Sequence, residues 1–207
     1  MAVEVIGNVA PPSSATFHPL WVRICHWINA VAMLVMIGSG WEIYNASPLF
    51  SFAFPRSITL GGWLGGALLW HFAAMWVLAI NGFFYLILGI ATGRFRNRLF
   101  PIRPAEIIHD AFAVLRCKLT RDDLSVYNAL QKTLYLAVIL ASIVIVLSGL
   151  SIWKPVQVQN LTMLFGGYDA ARYVHFLAMA SIAGFLVVHV MVALLVPKSI
   201  RAMIRGR

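Results

Sequence analysis

Histidine is the residue type whose placement in this chain could do chemistry. There are six: His18, His26, His71, His109, His175 and His189. Four of them, His26, His71, His175 and His189, fall inside long apolar runs, where an ionisable side chain is costly and marks function. His175 and His189 are fourteen residues apart in one such run. At about 100° and about 1.5 Å per residue, a helix returns them to nearly one face, roughly 21 Å apart along its axis. One helix therefore offers two imidazoles on one side, one near each end. His189 lies nine residues before Lys198 and His175 three residues after Arg172. His26 lies near the start of the first apolar run, at the depth of His189. His71 stands 23 residues before Arg94, about 34 Å of helix, at the depth of His175. Two pairs result, His26 with His189 and His71 with His175. One such histidine alone could equally bond across a helix interface; four at matched depths point to a shared ligand.

Bis-histidine ligation of haem suits a buried, low-dielectric site for electron transfer. Zinc normally takes three or four close ligands, and two per level are too few. Neither HExxH nor CxxCH occurs, which removes support for a zinc protease and for covalently attached haem. Arg23 precedes His26, and Arg172 precedes His175, by three residues on the surface side. A guanidinium there could bind a haem propionate, or the two arginines could simply extend to the headgroups. Gly38 and Gly40 follow His26 by twelve and fourteen residues and so reach the outer level, with Gly149 at the outer end of the third run and Gly82 towards the inner level. A missing side chain admits a flat macrocycle to the backbone, although small residues also serve ordinary packing between membrane helices.

The elements that must position these groups follow from composition. The chain has 207 residues, 61% hydrophobic and 11% charged, with a mean hydropathy of +0.84. A bilayer, not water, is the solvent for such a sequence. Four runs can cross it: about 20–44, 61–92, 129–153 and 170–196. They are too long and too continuously apolar for barrel strands, so they are read as helices. The net charge of +9 would suggest nucleic acid in a soluble protein. Here it is distributed as a topology signal, so no nucleic-acid partner is expected. The 93–125 connection carries Arg94, Arg96, Arg98, Arg103, Arg116, Lys118 and Arg121, and the C-terminal stretch carries Lys198, Arg201, Arg205 and Arg207. The other side has only Arg56, Lys154 and Arg172. The positive-inside rule puts both termini and the 93–125 connection in the cytoplasm of a multi-pass inner-membrane protein. Cys25 and Cys117 then lie towards the reducing side, where no disulfide is expected.

Residues 1–19, with Pro11, Pro12, Ser13 and Ser14, read as a loose tail without a cleaved signal peptide. From Pro104 to Lys118, Ile108, Phe112 and Leu115 recur at helical spacing, which predicts a short amphipathic helix on the cytoplasmic interface. A plain surface loop is the alternative. No internal repeat or low-complexity tract is evident. The expected fold class is an all-α integral membrane bundle of four transmembrane helices, with that short amphipathic helix between the second and third, forming a single domain over 1–207.

Several stretches resemble the bacterial cytochrome b561 group, which includes the di-haem b-type subunits of nickel–iron hydrogenases, formate dehydrogenases and related molybdenum enzymes. They are HPLWVRICHW at 18–27, HF at 71–72, NGFFYLILGIATGRFR at 81–96, YNALQK at 127–132, RYVHF at 172–176 and HV at 189–190. The resemblance runs from about Phe17 to the C-terminus. It implies two haems b, one held by His26 and His189 on the cytoplasmic side and one by His71 and His175 on the outer side. It also implies electron exchange between the quinone pool and an external redox protein: a molybdopterin oxidoreductase, a hydrogenase or a c-type cytochrome. The GRFR and LFP stretches at 93–101 are most similar to members associated with molybdopterin oxidoreductases. Quinone as substrate would lie near the cytoplasmic-side haem, bordered by Asn128 and Gln131, whose amides can hydrogen-bond a carbonyl, with His18 as a proton shuttle. Alternatively, Tyr127, Asn128 and Gln131 are polar boundary residues of a helix start and His18 a solvated interfacial ring.

The function expected is transmembrane electron transfer between a periplasmic-side partner and quinone, as a subunit of a membrane oxidoreductase, with no catalytic residue of its own identified. Some relatives in that group oxidise superoxide directly, and Lys154 and Arg172 could attract an anion; a stand-alone superoxide:quinone oxidoreductase is therefore the second expectation. A haem-free anchor or transporter is the third. Against it, no Asp, Glu, Lys or Arg falls deep in a span and no internal proline breaks one.

Overall fold

The computed structural model describes residues 18–99 and 129–206. These are helical with connecting turns, and no strand occurs among them. Four helices are long and apolar enough to cross a membrane: α1 (Leu20–Ala46), α2 (Leu64–Ala91), α4 (Ala129–Trp153) and α6 (Tyr168–Leu195). Short helices accompany them: α3 (Arg94–Leu99), α5 (Gln159–Leu164) and α7 (Pro197–Arg205). The four spans sit within three residues of the boundaries expected from hydropathy. The amphipathic helix expected at 104–118 lies outside the described residues.

Helix ends fall where the backbone demands them. Proline at the first position of α7 has no N–H and forces Val196 out of helical geometry (φ −122°, ψ 76°), so α6 stops at Leu195. α2 closes on Thr92 and Gly93, the latter at φ +66°, a left-handed conformation that glycine adopts without penalty. The stretch beginning at Pro197, which carries much of the C-terminal charge, is thus a helix and not a plain tail.

The spans form two antiparallel hairpins. α1 packs along α2, and α4 along α6, whereas the backbones of one hairpin hardly approach those of the other. Both hairpins close at the same end of the bundle, called here the hairpin end; His18, α3 and α7 lie at the opposite, terminal end. Buried polar groups knit each hairpin internally. The amide of Asn81 on α2 donates to the Cys25 carbonyl (2.7 Å) and to Asn29 Oδ1 (2.7 Å) on α1. Ser39, Ser148 and Ser151 are fully buried, each donating its hydroxyl to a carbonyl four residues back in its own helix.

At the hairpin end the two halves meet through an aromatic cluster and a hydrogen-bonded arginine. Asn45 brackets Phe54, donating to its carbonyl (2.9 Å) and accepting from its N–H (2.8 Å). This folds residues 47–55 over the end of the bundle. Tyr44, Phe50 and Phe52 thereby gather against Phe176 of α6, with ring centroids 5.1, 5.3 and 6.3 Å from it. Aromatic clusters of this kind gain beyond their buried area. Beside it, Arg172 of α6 donates to the carbonyl (2.6 Å) and hydroxyl (3.0 Å) of Ser47, at the C-terminus of α1, where a cation also meets the negative end of the helix dipole.

Asn81→Ala is expected to lower the stability of the α1–α2 hairpin by about 1 kcal/mol, the usual scale for interhelical polar contacts in membranes. Thermal unfolding in detergent measures it; an unchanged midpoint would show that the Asn81 bonds are not what fixes this pair.

Candidate functional site

Two imidazole pairs bridge the seam between the hairpins. His26 of α1 faces His189 of α6 towards the terminal end, with ring centroids 6.0 Å apart and planes inclined at 63°. His71 of α2 faces His175 of α6 towards the hairpin end, with centroids 6.5 Å apart and planes at 64°. These are the partners that depth alone suggested. All four rings are half-buried.

The spacing can be tested against a metal. An imidazole nitrogen lies about 1.1 Å from its ring centre and a metal–nitrogen bond is about 2.0–2.1 Å, so two imidazoles on opposite sides of one ion have centroids about 6.2 Å apart. Both pairs fall within a few tenths of an ångström of that. Among the described residues no cluster of three or more His, Cys, Asp or Glu could hold a bare ion. Two nitrogens per level suit an ion whose remaining ligands come from a planar macrocycle, and the scarcity of close backbone approaches between the hairpins is compatible with a flat group in the seam.

At the hairpin end the protonation of the rings is fixed by their neighbours. Nδ1 of His175 lies 3.0 Å from the Ile145 carbonyl and 3.1 Å from Ser148 Oγ, both on α4. A carbonyl only accepts, so Nδ1 carries the proton and Nε2 keeps the lone pair a metal needs. His71 repeats the arrangement on the other hairpin: its Nδ1 lies 3.0 Å from Ser39 Oγ on α1. The proton of each serine is committed to its own helix, at 2.6 Å from Ser39 to Val35 O and 2.7 Å from Ser148 to Val144 O, so the hydroxyl oxygen is free to accept from the imidazole. A glycine follows each serine. A Cβ on Gly40 would meet His71 Cε1 at 3.5 Å, and one on Gly149 would meet His175 Cε1 at 3.0 Å. The dipeptides 39–40 and 148–149 thus form matching cradles, the serine orienting the ring and the glycine making room for it. The two serines were missed from sequence. The signal available was a Ser-Gly pair on each of two spans at the depth of a histidine.

The terminal-end pair is held differently. His26 packs edge-on to Trp27, with centroids 5.4 Å apart, and His189 stacks on Phe185 at 5.5 Å and 17°. Arg23, one turn before His26, has a fully shielded Nε with no partner among the described residues. Its guanidinium reaches the end of α7, against Gly206, whose φ of +82° and missing side chain leave space for it. Arg23 also borders a groove of about 400 Å³ with Leu20 and Trp27 of α1 and Met203 of α7. A shielded guanidinium nitrogen without an acceptor fits a carboxylate placed there.

The remaining candidates sit as follows. Arg172 is engaged with Ser47, and Asp169 Oδ1 lies 4.0 Å from it. Gly38 faces not the seam but the connection, where Leu60 Cβ comes within 3.4 Å of a Cβ at Gly38 and the Leu60 N–H donates to the Gly38 carbonyl (3.0 Å). A Cβ on Gly82 would meet nothing within 4 Å. His18 Nδ1 accepts from Arg94 Nη2 at 3.2 Å, which ties the start of the described chain to α3. Gln131 stands in the first turn of α4; Asn128 and His109 lie outside the described residues.

Were a haem seated between His71 and His175, Gly149→Ala would weaken its retention, because His175 must yield by a few tenths of an ångström, whereas Gly40→Ala at ordinary contact distance would be nearly neutral. Haem b per polypeptide in the two purified variants checks this, and equal loss in both would contradict the geometry.

Two comparisons with known proteins bear on the family of this chain. A protein from Azospira oryzae with the provisional name protein-methionine-sulfoxide reductase subunit YedZ1 is 53% identical over 189 residues, covering 91% of this chain and 96% of that protein. The family model described as prokaryotic cytochrome b561 matches residues 18–206. With four apolar spans and a match over nearly its whole length, this multi-pass membrane protein belongs to the prokaryotic cytochrome b561 family.

Proposed function

We propose that this protein carries electrons across a bacterial inner membrane through two haems b, between the quinone pool and a reductase outside the membrane. The observation that carries the reading is the pair of imidazole couples, 6.0 and 6.5 Å between centroids, both bridging the same seam. His26 and His189 would hold one haem and His71 and His175 the other. Bound haem supplies an iron that takes up and gives back one electron without forming a bond to substrate. The chain's own residues do the rest. They hold the rings at bonding distance, exclude water from the seam and keep Nε2 of His71 and His175 unprotonated. Arg23, with its unpaired Nε, is the better placed of the two arginines for a propionate; Arg172 already serves Ser47.

The charge distribution supports placing both termini in the cytoplasm, with the hairpin end outside. The His71–His175 level is then the one nearer an external partner, and the His26–His189 level the one nearer the start of α4, where Gln131, Asn128 and His18 would border a quinone. The name of the Azospira relative describes a subunit of a protein-methionine-sulfoxide reductase. Carried to this chain, it supports a protein-methionine-sulfoxide reductase as the partner; that the partner is a molybdopterin enzyme fed by quinol rests on the resemblance of the GRFR and LFP stretches at 93–101. Reduction of a methionine sulfoxide to the thioether and water consumes two electrons and two protons, and oxidation of one quinol to quinone releases two of each. Asp169, with Oδ1 4.0 Å from Arg172, offsets part of the positive charge on which the superoxide reading depends.

The test is a haem assay on the purified protein with oxidised and reduced spectra. Two haems b per chain are expected, with His26→Ala or His189→Ala losing one and His71→Ala or His175→Ala losing the other. A haem-free preparation, or unchanged content in all four variants, would refute the proposal.

A further inference from the structure

The two histidine levels are built from different materials. At the terminal end the rings are flanked by Trp27 and Phe185. At the hairpin end each ring is hydrogen-bonded at Nδ1 by a serine of the neighbouring helix of its own hairpin: His71 by Ser39 at 3.0 Å and His175 by Ser148 at 3.1 Å, the latter sharing its proton with the Ile145 carbonyl at 3.0 Å. The same device appears once in each hairpin. The serine is fully buried, its own proton is fixed on a carbonyl four residues back, and a glycine follows it at contact distance from the same imidazole. A hydroxyl locked in this way can only accept from the ring.

We propose that Ser39 and Ser148 are positioning residues that set the redox potential of the hairpin-end haem alone. The inference rests on the two-haem reading above. Acceptance of the Nδ1 proton shifts electron density onto Nε2 and makes the imidazole a stronger donor. A stronger donor favours ferric over ferrous iron, which holds the potential of that haem down. Two such acceptors, one on each histidine of the pair, would act in the same direction. The terminal-end haem, between rings flanked by Trp27 and Phe185, is outside their reach, being about 21 Å of helix away on α6. The serines also fix ring azimuth, since each imidazole is held by an acceptor on a rigid helix and not by packing alone.

The experiment is a spectroelectrochemical titration of the full-length protein in detergent, comparing wild type with Ser39→Ala, Ser148→Ala, the double variant and Ser148→Thr. Two resolved haem b transitions are expected in wild type. Each alanine variant should move one of them upward and leave the other in place. The double variant should move the same one further, and threonine, which keeps the hydroxyl, should restore it. If an alanine variant loses haem, loss of one haem with the other at its wild-type potential, reversed in Ser148→Thr, supports the same assignment. Both transitions unchanged, or both moved or lost together, would overturn it. A wild-type protein without haem would instead overturn the two-haem reading, so the two failures are told apart in the first sample measured.

Discussion

In hydrocarbon, apolar helices gain little from burying one another, because lipid is as apolar as they are. What joins two helix hairpins in such a solvent has to be polar contact, close packing or a shared ligand. Here the hairpins α1–α2 and α4–α6 are each closely packed and internally hydrogen-bonded, while between them the backbones stay apart. The seam is crossed by two imidazole pairs at iron-bridging distance and closed at one end by an aromatic cluster and the Arg172–Ser47 bond. The rest of the architecture can be read from that constraint. α6 must carry two histidines fourteen residues apart, because it alone contributes to both levels. α1 and α2 must each present one histidine at the matching depth. α4, with no histidine, serves by holding one that α6 presents.

The hairpin-end level shows how a membrane interior orders a titratable ring. No water is on hand to settle which nitrogen carries the proton, so protein acceptors have to do it. A serine inside a transmembrane helix ordinarily satisfies itself on its own backbone, and both Ser39 and Ser148 do so. That self-satisfaction is what makes them one-way acceptors for His71 and His175. The glycine beside each follows from the same closeness: a ring held about 3 Å from the serine lies within contact of the next residue's backbone.

Much of this was legible in the sequence because the governing signals are long. Hydropathy over about twenty residues places the spans, and a fourteen-residue interval sets two side chains on one helix face whatever the tertiary detail. The pairing of His26 with His189 and of His71 with His175 follows from depth, which is counted from charges at the membrane boundary. The short-range partners were not legible. Ser39 and Ser148 look like any small residues in a membrane helix, and only the neighbouring helix gives them a role. Gly38 and Gly40 share one depth, but two residues apart on a helix is about 200° of rotation, so Gly38 receives the Leu60 backbone and Gly40 the His71 ring; the identity of each neighbour, not the divergence itself, was out of reach. The aromatic cover depends on Asn45 capturing Phe54, a contact with no periodicity to reveal it. α7 was hidden because its charges read equally well as a topology signal.

The central claim is that each histidine pair shares one iron, and electron paramagnetic resonance of the oxidised protein addresses it most directly. Ligand planes inclined at 63° and 64° are far from parallel, an arrangement that leaves the iron d orbitals nearly degenerate and the low-spin ferric signal strongly anisotropic. The account predicts two such low-spin signals of equal weight per chain. A high-spin ferric signal as the main species, or a single low-spin signal accounting for all the iron at one per chain, would contradict it.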